Sequence, residues 1–245
     1  MVSLIIPAYN EAETIEKTIV CALEFFCTSA WESELILVDD GSTDDTKSVM
    51  ERYVKDGVRV LSYPKNRGKG FALRLGVEKS KGDFVFFTDA DMAYGFSYIG
   101  QALCILQQGQ AQAVVGSRRI GKGGYENYGI LRKMMSGVFS LLANSVLKLH
   151  LSDTQCGFKG FTGECAREIF GLCKTDRFGI DFELLYLARC FDKKIVELPV
   201  RIINHAQTSV HPVRDSVRMI GELFAVKCNH REKFKEDRQW SKQDT

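Results

Sequence analysis

Short apolar runs alternate with segments of helical pattern along this chain, and this alternation limits the fold more than any other feature. Each run is continuous, rich in β-branched and aromatic residues, and bounded by polar turns, which indicates a strand buried on both faces. The runs lie at residues 2–6, 35–38, 58–61, 84–87, 113–115 and 195–200. Strands that alternate with helices predict an α/β fold with a mostly parallel, Rossmann-like sheet flanked by helices.

The helical segments and the polar end of the chain set the expected domain organisation. Helices are expected at residues 11–26, 44–53 and 71–79, where apolar side chains recur at helical spacing or N-cap residues stand at the start. We expect the alternating strands and helices to form an α/β domain ahead of this polar end. A C-terminal helix and a polar tail are expected over residues 206–245.

Composition is that of a soluble globular protein and argues against several classes of partner. Hydrophobic residues make up 45% and charged residues 26% of the chain, as in an ordinary folded domain. Lys and Arg together number 33 against 31 Asp and Glu, so we expect no nucleic-acid partner, which usually needs a strong basic excess. The eight cysteines form no CxxC pair and the four histidines no HExxH motif, so no zinc site is indicated.

The sequence also bears on location. Its first residues show no basic stretch followed by a cleavage site. The longest apolar stretch, residues 138–151, is interrupted by polar side chains and is shorter than the roughly 18 residues of a spanning helix. We expect a cytoplasmic protein that is at most peripheral at the cytoplasmic face of a membrane.

The first motif, residues 6–11 (IPAYNE), follows the first strand. In open α/β sheets, ligands bind beyond the carboxyl ends of the strands. Pro7 fixes the backbone there, and Tyr9 offers a flat face for a base. The alternative is a strand-to-helix turn capped by Asn10.

The second motif, residues 38–45 (VDDGSTDD), places two carboxylates where the second strand ends. A carboxylate accepts hydrogen bonds from a ribose hydroxyl or from a base N–H. Helix capping explains residues 42–45 but not Asp39 and Asp40, so a ligand contact is the favoured interpretation.

The third motif, residues 66–70 (NRGKG), opens the third expected helix. Its glycines allow close backbone approach, the helix N-terminus favours an anion, and Lys69 adds a charge suited to phosphate. It is not a P-loop. A glycine-flexed loop without a ligand is the alternative.

The fourth motif has the most specific chemistry. Asp89 and Asp91 follow the apolar run at 84–87, and their spacing points both side chains the same way on an extended backbone. Two convergent carboxylates repel each other unless a cation neutralises them. Oxygen ligands select a hard ion, Mg²⁺ or Mn²⁺, whose open positions a diphosphate can fill. A pair of solvated turn aspartates is the alternative.

Together the four motifs resemble the family 2 inverting glycosyltransferases, which have the GT-A fold. The resemblance covers residues 1–205 as one domain, and it implies that residues 1–92 bind a nucleotide-sugar and that residues 93–205 bind the acceptor. It implies that Asp89 and Asp91 hold the metal and the diphosphate, with Asp91 the surer ligand. The nucleotide contacts it implies are Pro7, Tyr9, Glu11 and Asp40. Met92 departs from the family pattern, in which glycine usually follows the acidic pair.

The second half looks like the dolichyl-phosphate β-glucosyltransferases. The matching strings are residues 115–118 (VGSR), 153–159 (DTQCGFK), 177–185 (RFGIDFELL) and 197–200 (ELPV). This likeness implies transfer of glucose from UDP-glucose to a polyprenyl or dolichyl phosphate. A GDP-mannose donor is an alternative, although the mannosyl-transferring relatives tend to differ at the DTQCGFK string.

The acceptor decides whether a base is needed. A lipid monophosphate has its second pKa at about 6 and is already an oxyanion near neutrality. It needs cations instead, for which Arg118 and Arg132 are the candidates, the latter just before an amphipathic segment suited to a membrane surface. An alcohol acceptor, on a saccharide or a protein, needs a base, and Asp153 and Asp181 are the candidates.

Other roles for these residues stay open at this point. Arg132 could belong to an ordinary core helix, Asp153 could form a turn and Asp181 could cap a helix. A non-catalytic nucleotide-sugar-binding module is the alternative from another class, although such a module would have no use for the acidic pair.

Overall fold

The sheet has seven strands within residues 1–121, 123–124, 130–203 and 212–230, the part of the chain that this computed structural model describes. The side chains of residues 130–132, 134, 135 and 212–217 lie outside that description. The strands are β1 (Val2–Ala8), β2 (Ser33–Asp39), β3 (Arg59–Ser62), β4 (Phe84–Phe87), β5 (Ala113–Ser117), β6 (Lys159–Thr162) and β7 (Ile195–Pro199). Their order across the sheet is β3-β2-β1-β4-β6-β5-β7.

Helices cover both faces of the sheet. They are α1 (Ile15–Cys27), α2 (Thr46–Glu51), α3 (Lys69–Lys79), α4 (Ser97–Gln107), α5 (Ile130–Leu147), α6 (Gly163–Leu172), α7 (Ile180–Cys190) and α8 (Pro212–Asn229), with a 3-10 turn at Val54–Asp56. α8 lies within the expected C-terminal helix, whereas residues 231–245 of the expected tail lie outside the described residues. Across the described ranges, no helix combines the length and apolarity needed to cross a bilayer.

The mostly parallel sheet is confirmed, with one strand that the sequence did not indicate. β1 runs parallel to β2 and β4, β2 to β3, and β5 to β7. β6 is antiparallel to both of its neighbours, β4 and β5. It escaped prediction because Lys159 and Gly160 interrupt its short apolar pattern.

The predicted boundaries move by a few residues. The helix expected at 11–26 begins at Ile15, because residues 11–14 form a turn in which the Glu11 carbonyl accepts the backbone N–H of Thr14 and Ile15. The helix expected to start at residue 71 begins at Lys69.

Both faces of the sheet are buried, which explains the unbroken apolar runs. Within β1, Leu4 and Ile6 pack into the cluster beneath α1 and α4, whereas Ile5 packs into the cluster beneath α3, α6 and α7. A third cluster joins α5, α7 and α8 to the sheet, with Phe182 of α7 and Val115 of β5 among its residues.

Strand register brings the sequence motifs to one edge. Ala8 at the end of β1 lies beside Asp39 at the end of β2, and Ile5 lies beside Phe87 at the end of β4. The residues that follow these three strands therefore share the carboxyl edge of the sheet, where open α/β folds bind ligands.

Gly160 tests whether β6 is packed as tightly as this arrangement requires. A Cβ at position 160 would lie 2.3 Å from Cε1 of the buried Phe86 ring. We expect Gly160→Ala to lower the free energy of unfolding by about 1–3 kcal/mol in urea titrations, the usual cost of overpacking.

The matched control is Gly171→Ala in α6, where an added Cβ meets nothing within 4 Å. Alanine there should be neutral or stabilising by up to about 1 kcal/mol. Equal stabilities of the two variants would contradict the packing described for β6.

Candidate active site

Three acidic side chains lie close enough to influence one another's charge at the carboxyl ends of β1 and β4. Asp89 and Asp91 follow β4 and Glu11 follows β1, and the Ala93 backbone N–H donates to Asp91 Oδ1 at 3.0 Å. Burial raises the pKa of Asp91 to about 6, with further contributions from Asp89 and Glu11. Burial also raises the pKa of Glu11, with smaller contributions from Asp89 and Asp44. The trio is therefore short of positive charge.

Lys69, the first residue of α3, supplies part of the missing charge. Its Nζ lies 2.7 Å from Asp89 Oδ1 and 3.1 Å from Asp181 Oδ2. Burial alone would lower the pKa of Lys69, but the Asp181 and Asp89 carboxylates outweigh it and raise the pKa. From the sequence, Lys69 was expected to contact a phosphate. In the structure, its ammonium lies beside the Asp89 carboxylate.

Asp181, in the first turn of α7, bridges two ammonium groups. Its Oδ1 lies 2.5 Å from Nζ of Lys159, which also donates to the Cys156 carbonyl at 2.7 Å. Burial would raise the pKa of Asp181, but Lys159 and Lys69 outweigh it and lower the pKa. A carboxylate held ionised in this way is a weak proton acceptor. The alternative that Asp181 caps the helix is wrong, because the N-cap of α7 is Gly179.

Asp40 anchors the loop that leads into α3. Its buried carboxylate accepts hydrogen bonds from the Tyr63 hydroxyl at 2.8 Å, the Asn66 amide at 2.9 Å, and the backbone N–H of Arg67 at 2.7 Å and of Gly68 at 2.8 Å. The loop thus occupies the acceptor positions that the sequence interpretation reserved for a nucleotide. Asp39 similarly accepts the Ser42 backbone N–H at 3.0 Å.

Pro7 and Tyr9 stand where the first motif was expected to meet a base. Pro7 is buried within β1, and Tyr9 is 38% exposed at the strand end. Asn10 does not cap α1, whose N-cap is Thr14. It adopts φ 54° and accepts the Thr43 backbone N–H at 2.8 Å, which ties the first motif to the second.

The DTQCGFK string reaches the acidic pair through residues to which the sequence assigned no role. A Cβ at Gly157 would lie 1.8 Å from Asp89 Oδ2, so only glycine leaves room for that carboxylate. Lys159 of the same string forms an ion pair with Asp181, which in turn pairs with Lys69. A lysine flanked by glycine and phenylalanine in the printed sequence gives no signal of such a partner.

In the second half of the chain, Arg118 and Asp153 bind each other. Arg118 Nε lies 2.6 Å from Asp153 Oδ2 and Nη2 lies 2.9 Å from Oδ1, and both side chains are buried. Burial would raise the pKa of Asp153, but the Arg118 guanidinium lowers it. Asp153 Oδ1 also accepts the Gln155 backbone N–H, so its interpretation as a turn former is confirmed.

The other predicted acceptor cation, Arg132, lies in α5, and its side chain falls outside the described residues. The exposed Arg119 was not singled out from the sequence. Its Nη2 would lie 3.1 Å from a Cβ at Gly137 of α5, which places the guanidinium against that helix. The SRR string at residues 117–119 is the only signal that could have pointed to it.

The comparison with protein families matches residues 3–170 to the model described as Glycosyl transferase family 2. The chain belongs to this family. The human dolichyl-phosphate beta-glucosyltransferase is 34% identical over 243 residues, which cover 93% of this glycosyltransferase and 75% of the relative. The enzyme of the same name from Dictyostelium discoideum is 29% identical over 242 residues, covering 93% and 74%.

Solved structures show that this glycosyltransferase has the GT-A fold. Glucosyl-3-phosphoglycerate synthase from Mycobacterium tuberculosis, in complex with phosphoglyceric acid, matches with a TM-score of 0.70 at 22% identity, covering 92% of this chain and 79% of that one. The same enzyme in complex with Mn²⁺, UDP and glucosyl-3-phosphoglycerate matches with a TM-score of 0.66 at 23% identity, with the same coverage.

The donor set of this glycosyltransferase fits a hard divalent cation. Asp89 and Asp91 present carboxylate oxygens, and Glu11 adds a third negative charge nearby. Within the described ranges, no group of three or more His, Cys, Asp or Glu side chains is arranged to hold a metal by itself. A cation held by Asp89 and Asp91 would keep further positions for phosphate oxygens and water, as Mg²⁺ usually does.

The Gly157 contact can be tested on metal binding. We expect Gly157→Ala to displace the Asp89 carboxylate and to weaken Mn²⁺ binding, followed by electron paramagnetic resonance, by about tenfold, the equivalent of one lost charge-assisted contact. Gly171→Ala is the control and should bind Mn²⁺ like the wild type. Unchanged Mn²⁺ affinity in Gly157→Ala would show that Asp89 is not a ligand.

The Arg118–Asp153 pair makes a prediction about stability. At pH 7, Asp153→Asn should lower the free energy of unfolding by about 3–5 kcal/mol, because it leaves a buried guanidinium uncompensated. Since the folded-state pKa of Asp153 lies below the reference value of 3.8, the pair's contribution is present above that value and is lost as the pH falls through the folded-state pKa.

Urea unfolding of wild type and variant at decreasing pH measures this effect. The difference between them should narrow below about pH 4. Asp56→Asn, at an exposed position, is the control and should stay within about 0.5 kcal/mol of wild type. A difference for Asp153→Asn that is small at neutral pH would contradict the buried ion pair.

Proposed function

We propose that this glycosyltransferase transfers glucose from UDP-glucose to a polyprenyl phosphate such as dolichyl phosphate, with inversion at the anomeric carbon. One observation carries the choice of acceptor. Asp153 and Asp181, the two candidate bases, are both held in ion pairs, with Arg118 and with Lys69 and Lys159. An alcohol acceptor needs a base to take its proton, whereas a phosphate monoester is already an oxyanion near pH 7.

The donor half of the proposal rests on the edge of the sheet formed by the first four motifs. We propose that Tyr9 and Pro7 contact the base and that Glu11 and Asp40 are the neighbouring nucleotide contacts, Asp40 through the loop that it holds. UDP and UDP-glucose occur in complexes of the mycobacterial structural neighbour. They support a uridine nucleotide over the GDP-mannose alternative.

Asp89 and Asp91 are the proposed ligands of Mg²⁺ or Mn²⁺, which, when bound, stabilises the negative charge on the leaving diphosphate. The chain's own contribution is to place Lys69 beside these carboxylates, 2.7 Å from Asp89. From the start of α3, its ammonium offers a second positive charge to the departing phosphate oxygens. Because Gly157 has no side chain, it leaves the space that the Asp89 carboxylate occupies.

The acceptor is proposed to approach from the side of α5. Arg118 and Arg132 are the proposed phosphate contacts, and because Asp153 neutralises Arg118, the exposed Arg119 offers the less compensated charge. Val138 and Leu141 of α5 are 68% and 69% exposed. An exposed apolar helix face near arginines suits an isoprenoid chain and a peripheral position at the cytoplasmic face of a membrane.

Transfer of radiolabel tests the proposal. With UDP-[¹⁴C]glucose, Mg²⁺ and dolichyl phosphate, we expect labelled product that extracts into organic solvent. Parallel reactions with a free sugar and with 3-phosphoglycerate should leave the label in UDP-glucose, as chromatography of the aqueous phase would show. Label that remains aqueous with dolichyl phosphate, but enters the sugar or the phosphoglycerate, would contradict the lipid acceptor.

A matched pair of variants on either side of β4 ties that activity to the acidic pair. Asp91→Asn should reduce transfer by about a hundredfold or more, as loss of one electrostatic stabiliser of a transition state does. Asp83→Asn should keep full activity, because Asp83 precedes β4 at the opposite edge of the sheet and pairs with the N-terminus. Full transfer by Asp91→Asn would remove the catalytic role of the pair.

A further inference from the structure

We propose that Asp181 is a positioning residue that holds the Lys69 ammonium, so that Asp89 can exchange this internal cation for a divalent metal ion. The inference rests on the proposed function only in taking Asp89 and Asp91 as metal ligands. It replaces the role of general base that the sequence suggested for Asp181.

Four charges of alternating sign run from the sheet interior to the metal ligands. Lys159 Nζ lies 2.5 Å from Asp181 Oδ1, Asp181 Oδ2 lies 3.1 Å from Lys69 Nζ, and Lys69 Nζ lies 2.7 Å from Asp89 Oδ1. The exposed side-chain fractions rise along the row, from 0% at Lys159 to 36% at Asp89. Each inner charge therefore has a partner, and the outermost carboxylate faces the site.

Lys159 fixes the position of Asp181. Its ammonium is fully buried and has Asp181 as its ion-pair partner and the Cys156 carbonyl as a further acceptor. Moving Asp181 away would leave a buried charge uncompensated, which is strongly unfavourable. Asp181 therefore presents its second oxygen to Lys69 from a fixed place.

Lys69 is shared between a fixed carboxylate and an exchangeable one. A divalent cation at Asp89 and Asp91 repels the Lys69 ammonium, which must then give up its 2.7 Å contact. With Asp181 present, Lys69 keeps an ionised partner when it does so, and its flexible four-carbon chain allows the small movement. Without that partner, Lys69 stays on Asp89 and competes with the metal.

Mn²⁺ binding without nucleotide, followed by electron paramagnetic resonance, measures this competition directly. We expect Asp181→Asn to weaken Mn²⁺ binding by about fivefold or more, the effect of one modest ion pair. In a Lys69→Met background the same substitution should change the affinity less than twofold, because the competing ammonium is gone. The Lys69→Met variant alone should bind Mn²⁺ at least as tightly as wild type.

A second set of variants covers the case in which Asp181→Asn fails to fold because Lys159 loses its partner. The Lys159→Met/Asp181→Asn double variant removes one charge of each sign and leaves the net charge unchanged. It should weaken Mn²⁺ binding as Asp181→Asn does, and adding Lys69→Met should restore the affinity.

Glu34→Gln is the matched control. Glu34 is a largely buried carboxylate, 2.6 Å from Arg59, at the opposite edge of the sheet. This substitution should cost stability and leave Mn²⁺ binding unchanged. The inference would be overturned by wild-type Mn²⁺ affinity in both Asp181 variants, or by a loss that persists in full in the Lys69→Met background.

The two proposals fail independently. Suppose that the Mn²⁺ affinities of the Asp181 and Lys69 variants are as expected but that no lipid phosphate accepts glucose. This result would contradict the proposed acceptor and support the role of Asp181. Transfer to dolichyl phosphate with no coupling between Asp181 and Lys69 would support the acceptor and overturn the role of Asp181.

Discussion

Repulsion among carboxylates at the ends of β1 and β4 is the constraint on which the rest of the site depends. Parallel pairing of these two strands brings Glu11, Asp89 and Asp91 to the same edge, where burial raises the pKa values of Glu11 and Asp91. Lys69 offsets part of this charge from the start of α3. The remaining negative charge favours a positive partner, and a divalent cation is the proposed one.

The same electrostatics bear on the chemistry of the second half of the chain. Asp153 and Asp181 are the two candidate bases, and each is committed to cationic partners that lower its pKa. Two carboxylates engaged in this way are poor at removing a proton from an alcohol, whereas a phosphate nucleophile needs no proton transfer. The acceptor proposed for this glycosyltransferase thus follows from which charges are already paired.

Local pattern predicted much of the fold and of the donor side, and long-range pairing accounts for what it could not predict. The acidic pair was identified because an unbroken apolar run shows in the sequence where a buried strand ends. Neighbouring parallel strands end at the same edge of the sheet. Lys69 and Asp181, by contrast, are 112 residues apart. Lys159 lies in an antiparallel strand whose apolar pattern is too interrupted to be recognised from the sequence. Nothing local to Asp40 shows that the loop at residues 66–68 takes up its oxygens.

Calorimetric titration of UDP into the wild-type protein, with Mn²⁺ and then with EDTA, tests most directly the claim that the acidic pair holds a metal on a diphosphate. The account predicts saturable binding with Mn²⁺ that weakens by about tenfold or more in EDTA, and the same weak binding by Asp91→Asn under both conditions. Equal UDP affinity with Mn²⁺ and with EDTA would contradict it.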